Sequence, residues 1–183
     1  PLGTAGAVKN AEKYLDNTFL VLNGDIFTDL DVTAMIAFHR ERKAKVTIAL
    51  TPVDDPTSYG LIQTNAKGKV TRFIEKPSRE QITTNMINAG TYILEPDSLS
   101  PIPQKTNFSF ERQLFPLLLD QGEPVYAYPS NAYWIDIGTP EKYLQLHRDL
   151  LSGSSAQHCY PVGEQVMIGE LSSIDPTAKV KGP

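Results

Sequence analysis

Thr18-Phe19-Leu20-Val21-Leu22-Asn23-Gly24-Asp25 is an apolar run of strand length that stops on a polar turn and an acid. A continuous apolar run of this kind suits a strand buried on both faces of a parallel sheet. Upstream, Ala7, Val8, Ala11 and Leu15 recur at helical spacing over residues 4–15, with Thr4 placed to cap that helix. Downstream, Asp31 reads as the N-cap of a helix over residues 32 to about 43, and residues 45–51, rich in β-branched side chains, read as a strand. Strand, helix and strand in that order predict a doubly wound α/β sheet. Ligands of such sheets sit beyond the carboxyl ends of the strands, which is where Asp25 falls.

Further along, residues 59–63 and 69–75 read as paired strands joined by the turn Asn65-Ala66-Lys67-Gly68. Residues 91–94, 125–128 and 133–137 read as short strands. Residues 110–119 look helical, with Pro116 expected to bend or end the helix. A last helix starts at Pro140, where a first-turn proline is tolerated, with Tyr143, Leu144 and Leu151 as its inward face. The domain over residues 1–152 then gives way to a small, polar linker over residues 153–160. Beyond it Val162, Ile168, Ile174 and Val180 recur every six residues, the mark of a parallel β-helix beginning over residues 161–183.

The 183 residues suffice for one full domain plus a small appendage, and 40% hydrophobic with 21% charged residues is ordinary for a soluble globular protein. No apolar stretch reaches membrane-spanning length, so no membrane partner is expected. The net charge of -4 and the lack of a basic face argue against nucleic acid; Arg40, Arg42, Lys43 and Lys45, interrupted by Glu41, read as a solvated helix face. The single cysteine, Cys159, excludes an internal disulfide and fits a cytoplasmic protein. Its setting beside Gly153, Ser154 and Ser155 argues against a catalytic thiol.

Two aspartates stand out by position. Asp25 follows a strand end, and Asp136 lies inside Trp134-Ile135-Asp136-Ile137-Gly138. An aspartate between isoleucines must pair with a cation, hold a metal, or face solvent across the pleat. Two carboxylates from distant strands suit Mg²⁺, which favours a few carboxylate oxygens plus substrate phosphates; capping and turn roles are the rivals. In Phe73-Ile74-Glu75-Lys76-Pro77 the proline stops a strand on opposite charges. Such an end either aims a carboxylate at hydroxyls and an ammonium at a phosphate, or is an ordinary solvated terminus. Leu2-Gly3-Thr4-Ala5-Gly6 is either a plain turn or a ligand-binding helix start. Tyr59-Gly60 and Asn88-Ala89-Gly90 allow close backbone approach and a two-way hydrogen-bonding amide.

In their order along the chain these pieces, together with Phe108-Ser109-Phe110-Glu111 and Thr139-Pro140, resemble the sugar-phosphate nucleotidyltransferases. Within that family they are most similar to the mannose-1-phosphate guanylyltransferases, many of which carry a hexapeptide-repeat tail. The resemblance covers residues 1 to about 151. It implies a Rossmann-like α/β nucleotidyltransferase domain, truncated at its N-terminus, followed by the start of a left-handed parallel β-helix. It implies that Gly3 and Thr4 line the base pocket, that Gly60, Glu75 and Asn88 contact the hexose, and that Lys76 binds the sugar phosphate. Asp25 and Asp136 would hold Mg²⁺. The reaction implied joins a nucleoside triphosphate to a hexose 1-phosphate, with GDP-mannose as the favoured product and pyrophosphate released.

The departure is at the start. The family's first strand and its Gly-rich triphosphate loop, with an arginine and a lysine, have no match here. The chain therefore reads as a piece of a longer enzyme, inactive alone and with an open sheet edge. Alternatives are a glucose-1-phosphate thymidylyl- or uridylyltransferase and a non-catalytic regulatory subunit that binds nucleotide sugars. Self-association through the tail is also expected.

Overall fold

A computed structural model describes residues 1–153 and 173–179. Linker residues 154–160, with Cys159, and the repeat positions Val162, Ile168 and Val180 lie outside the described residues, and Ile174 is exposed. The chain divides into two compact units, Pro1–Gly24 with Leu30–Ala132, and Asp25–Asp29 with Tyr133–Pro183. No helix among the described residues is long and apolar enough to cross a membrane.

The first unit is built on a six-stranded mixed sheet. Its strands are β1 (Phe19–Leu22), β3 (Val46–Pro52), β4 (Gly60–Thr64), β5 (Val70–Glu75), β6 (Met86–Leu94) and β7 (Val125–Pro129), and the order is β5-β4-β6-β3-β7, with β1 also on β6. Only β3 and β7 pair in parallel; β1, β3 and β4 all run antiparallel to β6. The expectation for residues 18–22 is thus corrected. The strand is antiparallel and half-buried, Leu20 and Leu22 facing outward while Phe19 and Val21 pack on the core. Hydrophobicity alone does not distinguish the two cases, because Leu and Val suit either face.

β3 is covered on both sides, as its unbroken run of buried residues requires. Val46, Ile48 and Leu50 join a core with Tyr92, Phe110, Phe115 and Leu118. Thr47, pointing the other way, meets the buried His39 of α2 (Val32–Glu41) at 2.7 Å, and the far ring nitrogen of His39 reaches Glu95 at 3.1 Å. The N-cap reading of Asp31 holds, its carboxylate accepting from the Ala34 N–H at 2.8 Å. The β4–β5 hairpin holds as well, turning at Gly68 with a φ of 77°.

Three local readings change. The first helix, α1 (Gly3–Asn10), is followed by a 3₁₀ turn, and Thr4 lies inside it instead of capping it. Gly3 has a φ of 69°, and a Cβ there would stand 2.7 Å from Asn107 Oδ1 and from the Phe108 carbonyl oxygen. The loop is packed onto residues 106–110, and the Gly6 N–H is spent on the Phe108 carbonyl at 2.9 Å. Residues 110–119 are helical as expected, but they do not form one regular α-helix. A π-helical turn over Phe110–Leu114 runs directly into α3 (Phe115–Asp120), and Pro116, expected to bend or end the helix, sits just after that turn without ending it. β6 starts five residues earlier than expected and absorbs Asn88-Ala89-Gly90 in a bulge.

In the second unit β2 (Ile26–Thr28) and β8 (Trp134–Asp136) form an antiparallel ribbon, followed by α4 (Pro140–Leu151). Thr139 caps α4, accepting from the Lys142 N–H at 3.3 Å. The inward face is not the expected one. Leu146 is buried, while Tyr143, Leu144 and Leu151 are exposed. At 3.6 residues per turn, Leu144 and Leu151 fall on the side of the helix opposite Leu146.

Candidate functional site

The β2–β8 register sets Ile26 opposite Asp136, so Asp25 and Asp136 arrive at the same end of the ribbon. The Ile137 N–H extends the pairing by donating to the Asp25 carbonyl at 2.8 Å. Gly138 follows, and its N–H donates to Asp136 Oδ1 at 2.9 Å. A Cβ on Gly138 would stand 3.0 Å from Asp136 Oδ1 and 3.9 Å from Asp25 Oδ2. Glycine thus leaves a cradle faced by two carboxylate oxygens. Lys142, in the first turn of α4, brings its ammonium to 3.5 Å from Asp136 Oδ2. Two hard, anionic oxygens at an open cradle fit a Mg²⁺ ion that takes its remaining ligands from water and phosphate. Tyr133 anchors α4 to the ribbon by donating to Asp149 Oδ2 at 2.6 Å. Burial, then the Asp149 carboxylate, pushes the Tyr133 hydroxyl far above its ordinary range.

In the first unit Thr4 and, through Tyr92, Asn88 meet at Glu111. The Oε1 of Glu111 accepts from the Tyr92 hydroxyl at 3.0 Å, and its Oε2 accepts from Ser109 at 2.7 Å and from Thr4 at 3.3 Å. Behind each hydroxyl stands an N–H donor: Asn88 Nδ2 to Tyr92 at 2.8 Å, the Arg112 N–H to Ser109 at 3.2 Å, and the Phe110 N–H to Thr4 at 2.9 Å. Thr4 and Asn88 are therefore tied into one network, although 84 positions of sequence (88 − 4) separate them.

Glu75 is the register partner of Gly60 across β4–β5, and a Cβ on Gly60 would meet Phe73 at 2.7 Å and Glu75 Oε2 at 3.1 Å. The bare backbone there makes room for these two side chains. Burial, then the negative field of Glu111, raises the Glu75 carboxyl above its usual range, while Arg112 and Lys76 pull it back. Lys76 takes a φ of 49°, so the strand's alternation breaks between the two charges. Gly3 lies apart from this network, packed on residues 107 and 108.

Tyr92 and Glu111 carry roles that sequence reasoning left unassigned. Tyr92 follows Asn88 at a spacing that keeps both on one face of a strand, and a buried tyrosine needs a partner for its hydroxyl. Lys142 offers no comparable signal.

The model of the family described as nucleotidyl transferase matches residues 1–153. A mannose-1-phosphate guanylyltransferase of Mycobacterium tuberculosis is 39% identical over 155 residues, covering 84% of this chain and 43% of that protein. A UTP–glucose-1-phosphate uridylyltransferase of Synechocystis sp. is 36% identical over 192 residues, covering 100% of this chain and 49% of that protein. The crystal structure of HddC from Yersinia pseudotuberculosis complexed with GMP-PN superposes with a TM-score of 0.66 at 36% identity, covering 79% of this chain and 61% of that one. The chain spans about half the length of the curated relatives it matches. With a family match over nearly all the described residues and a mixed α/β sheet to carry it, the chain belongs to the nucleotidyl transferase family.

Proposed function

We propose that this chain is part of an enzyme that transfers a nucleotidyl group from a nucleoside triphosphate to a hexose 1-phosphate, with GTP and mannose 1-phosphate as the pair. The observation that carries the reading is the 39% identity to a mannose-1-phosphate guanylyltransferase across 84% of the chain. The guanine nucleotide analogue in the HddC complex favours the same base. In this reaction a sugar-phosphate oxygen attacks the α-phosphorus, the bond from that phosphorus to the bridging oxygen breaks, and pyrophosphate leaves. No covalent enzyme intermediate is needed, so catalysis rests on alignment and charge neutralisation.

The chain's own residues divide that work. Lys76 holds the sugar phosphate, and Glu75 and Asn88 hold hexose hydroxyls with the backbone at Gly60. Gly3 and Thr4 border the base, with Thr4 steadied by Glu111. Asp25 and Asp136 hold Mg²⁺, which when bound neutralises charge on the phosphates. The convergence of their oxygens at Gly138 supports this assignment.

The Synechocystis relative, 36% identical over the whole chain, favours a second reading with UTP and glucose 1-phosphate; a thymidylyl preference is the related case. A regulatory subunit is disfavoured by the retention of both aspartates. Residues 161–183, read as the start of a left-handed β-helix reached through a linker at 153–160, self-association through that tail, and a cytoplasmic setting complete the proposal. A pyrophosphate-release assay on the full-length protein across nucleotide and sugar-phosphate pairs tests it. Turnover with GTP and mannose 1-phosphate is expected. Turnover with glucose 1-phosphate alone sinks the mannose assignment, and none with any pair favours the regulatory subunit.

A further inference from the structure

Asn88 and Tyr92 lie four residues apart on one strand, yet their side chains meet at 2.8 Å. In a regular strand positions four apart are separated by about 13 Å. Between Ile48 and Leu50 of β3, paired with Tyr92 and Asn88, the partner strand advances four residues for two. This bulge around Gly90, with a φ of 71°, shortens the path, and the length of the tyrosine closes it.

The bonds around Asn88 have a fixed direction. At one end the Gly90 N–H can only donate, and it donates to Asn88 Oδ1 at 3.0 Å. At the other end an ionised Glu111 can only accept. Ser109 and Thr4 already give their hydroxyl hydrogens to it, and Tyr92 does the same. The Tyr92 oxygen is then left with lone pairs, which the Asn88 amide hydrogen satisfies. A donor-only group and an acceptor-only group thus impose the same amide orientation from opposite sides. A flipped Asn88 would set Nδ2 against the Gly90 N–H and Oδ1 against a hydroxyl that has no hydrogen to offer. Tyr92 is fully buried, and its ring is packed 5.3 Å from both Phe110 and Phe115, so its hydroxyl cannot follow such a flip.

We propose that Tyr92, held by Glu111, is a positioning residue that locks the amide of Asn88, so that one N–H and one Oδ1 lone pair are presented in a set order to a sugar hydroxyl. The inference rests on the assignment of Asn88 to the hexose. It adds that the order of donor and acceptor there, and with it discrimination among hexose epimers, is set by a tyrosine that touches no substrate.

The test is a double-mutant cycle in the full-length enzyme. Tyr92→Phe keeps the packed ring and removes only the hydroxyl. It is expected to raise KM for the sugar phosphate roughly tenfold, as for loss of a bond to a charged network. kcat and KM for the nucleotide should stay within about twofold. Its ratio of kcat/KM between epimeric hexose 1-phosphates should fall. In an Asn88→Ala background Tyr92→Phe should add nothing. Equal penalties in both backgrounds would overturn the positioning role, because the tyrosine would then act through general stability. An Asn88→Ala variant with unchanged sugar-phosphate KM would instead remove the hexose assignment itself, and the inference with it. Glu111→Gln, which can donate as well as accept, should weaken epimer discrimination too; intact discrimination in both Glu111→Gln and Tyr92→Phe contradicts the lock.

Discussion

Asp25 and Asp136 reach one end of the β2–β8 ribbon because Ile137 closes on the Asp25 carbonyl at 2.8 Å while Ile26 faces Asp136. Backbone pairing, not side-chain packing, sets their spacing. Asp136→Asn keeps the shape and the Gly138 contact through Oδ1 but removes a charge. In the full-length enzyme kcat should fall by roughly a hundredfold, and the Mg²⁺ concentration for half-maximal rate should rise. A Mg²⁺ titration of initial rates checks both, and unchanged turnover at low Mg²⁺ refutes the metal assignment.

Gly138→Ala probes the cradle without replacing either aspartate. The added methyl would sit 3.0 Å from Asp136 Oδ1, closer than most carbon contacts allow. The carboxylate must give way, so affinity for Mn²⁺ used as a Mg²⁺ probe should fall by roughly tenfold. Metal titration followed by electron paramagnetic resonance reads this independently of turnover. Thermal stability should change little, because the cradle is open on its other side.

Much of this arrangement is legible in the sequence where a short-range signal carries it. Asp31 announces α2, Pro140 announces α4, and Gly68 marks the β4–β5 turn. Strand direction is not legible in the same way. The residues of β1 would suit a parallel or an antiparallel neighbour, and the choice is made by β6, some 70 positions away. The sequence reads a strand over residues 91–94 only, whereas β6 begins at Met86 and takes in Asn88-Ala89-Gly90 as a bulge, which no local pattern marks. Asp25, Asp136, Glu75, Lys76 and Asn88 could be singled out from their neighbours in sequence. The part of Glu111 could not, because its three hydroxyl partners come from three separate segments.

The raised carboxyl of Glu75 makes a prediction about pH. Its folded-state value lies above the ordinary 4.5, through burial and then the field of Glu111. The folded state therefore binds that proton more readily than the unfolded chain does. The stability contributed by the protonated form is full below about 4.5 and is lost as pH rises through the folded value. Glu75→Gln mimics the protonated group at every pH. The variant should match the parent protein in Tm near pH 4 and exceed it near pH 7, with the difference growing between. Thermal unfolding across that range checks the sign, and a variant less stable at pH 7 than its parent contradicts it.

Lys76 combines two roles that one pair of substitutions can separate. Its φ of 49° places a side-chain-bearing residue in the left-handed region, at a cost of about 1 kcal/mol that glycine does not bear. The same residue supplies the ammonium assigned to the sugar phosphate. Lys76→Gly should therefore raise Tm while weakening use of the sugar phosphate. Lys76→Ala should weaken it equally, by about 1.5–3 kcal/mol in kcat/KM, with no gain in stability. If strain at this position merely reflected a tight strand end, glycine would stabilise the protein and leave kcat/KM unaltered. If the ammonium alone mattered, the two variants would melt together. Only a residue held in a strained backbone for the sake of its charge separates them on stability and unites them on catalysis, which unfolding curves and sugar-phosphate kinetics on the same two proteins will reveal.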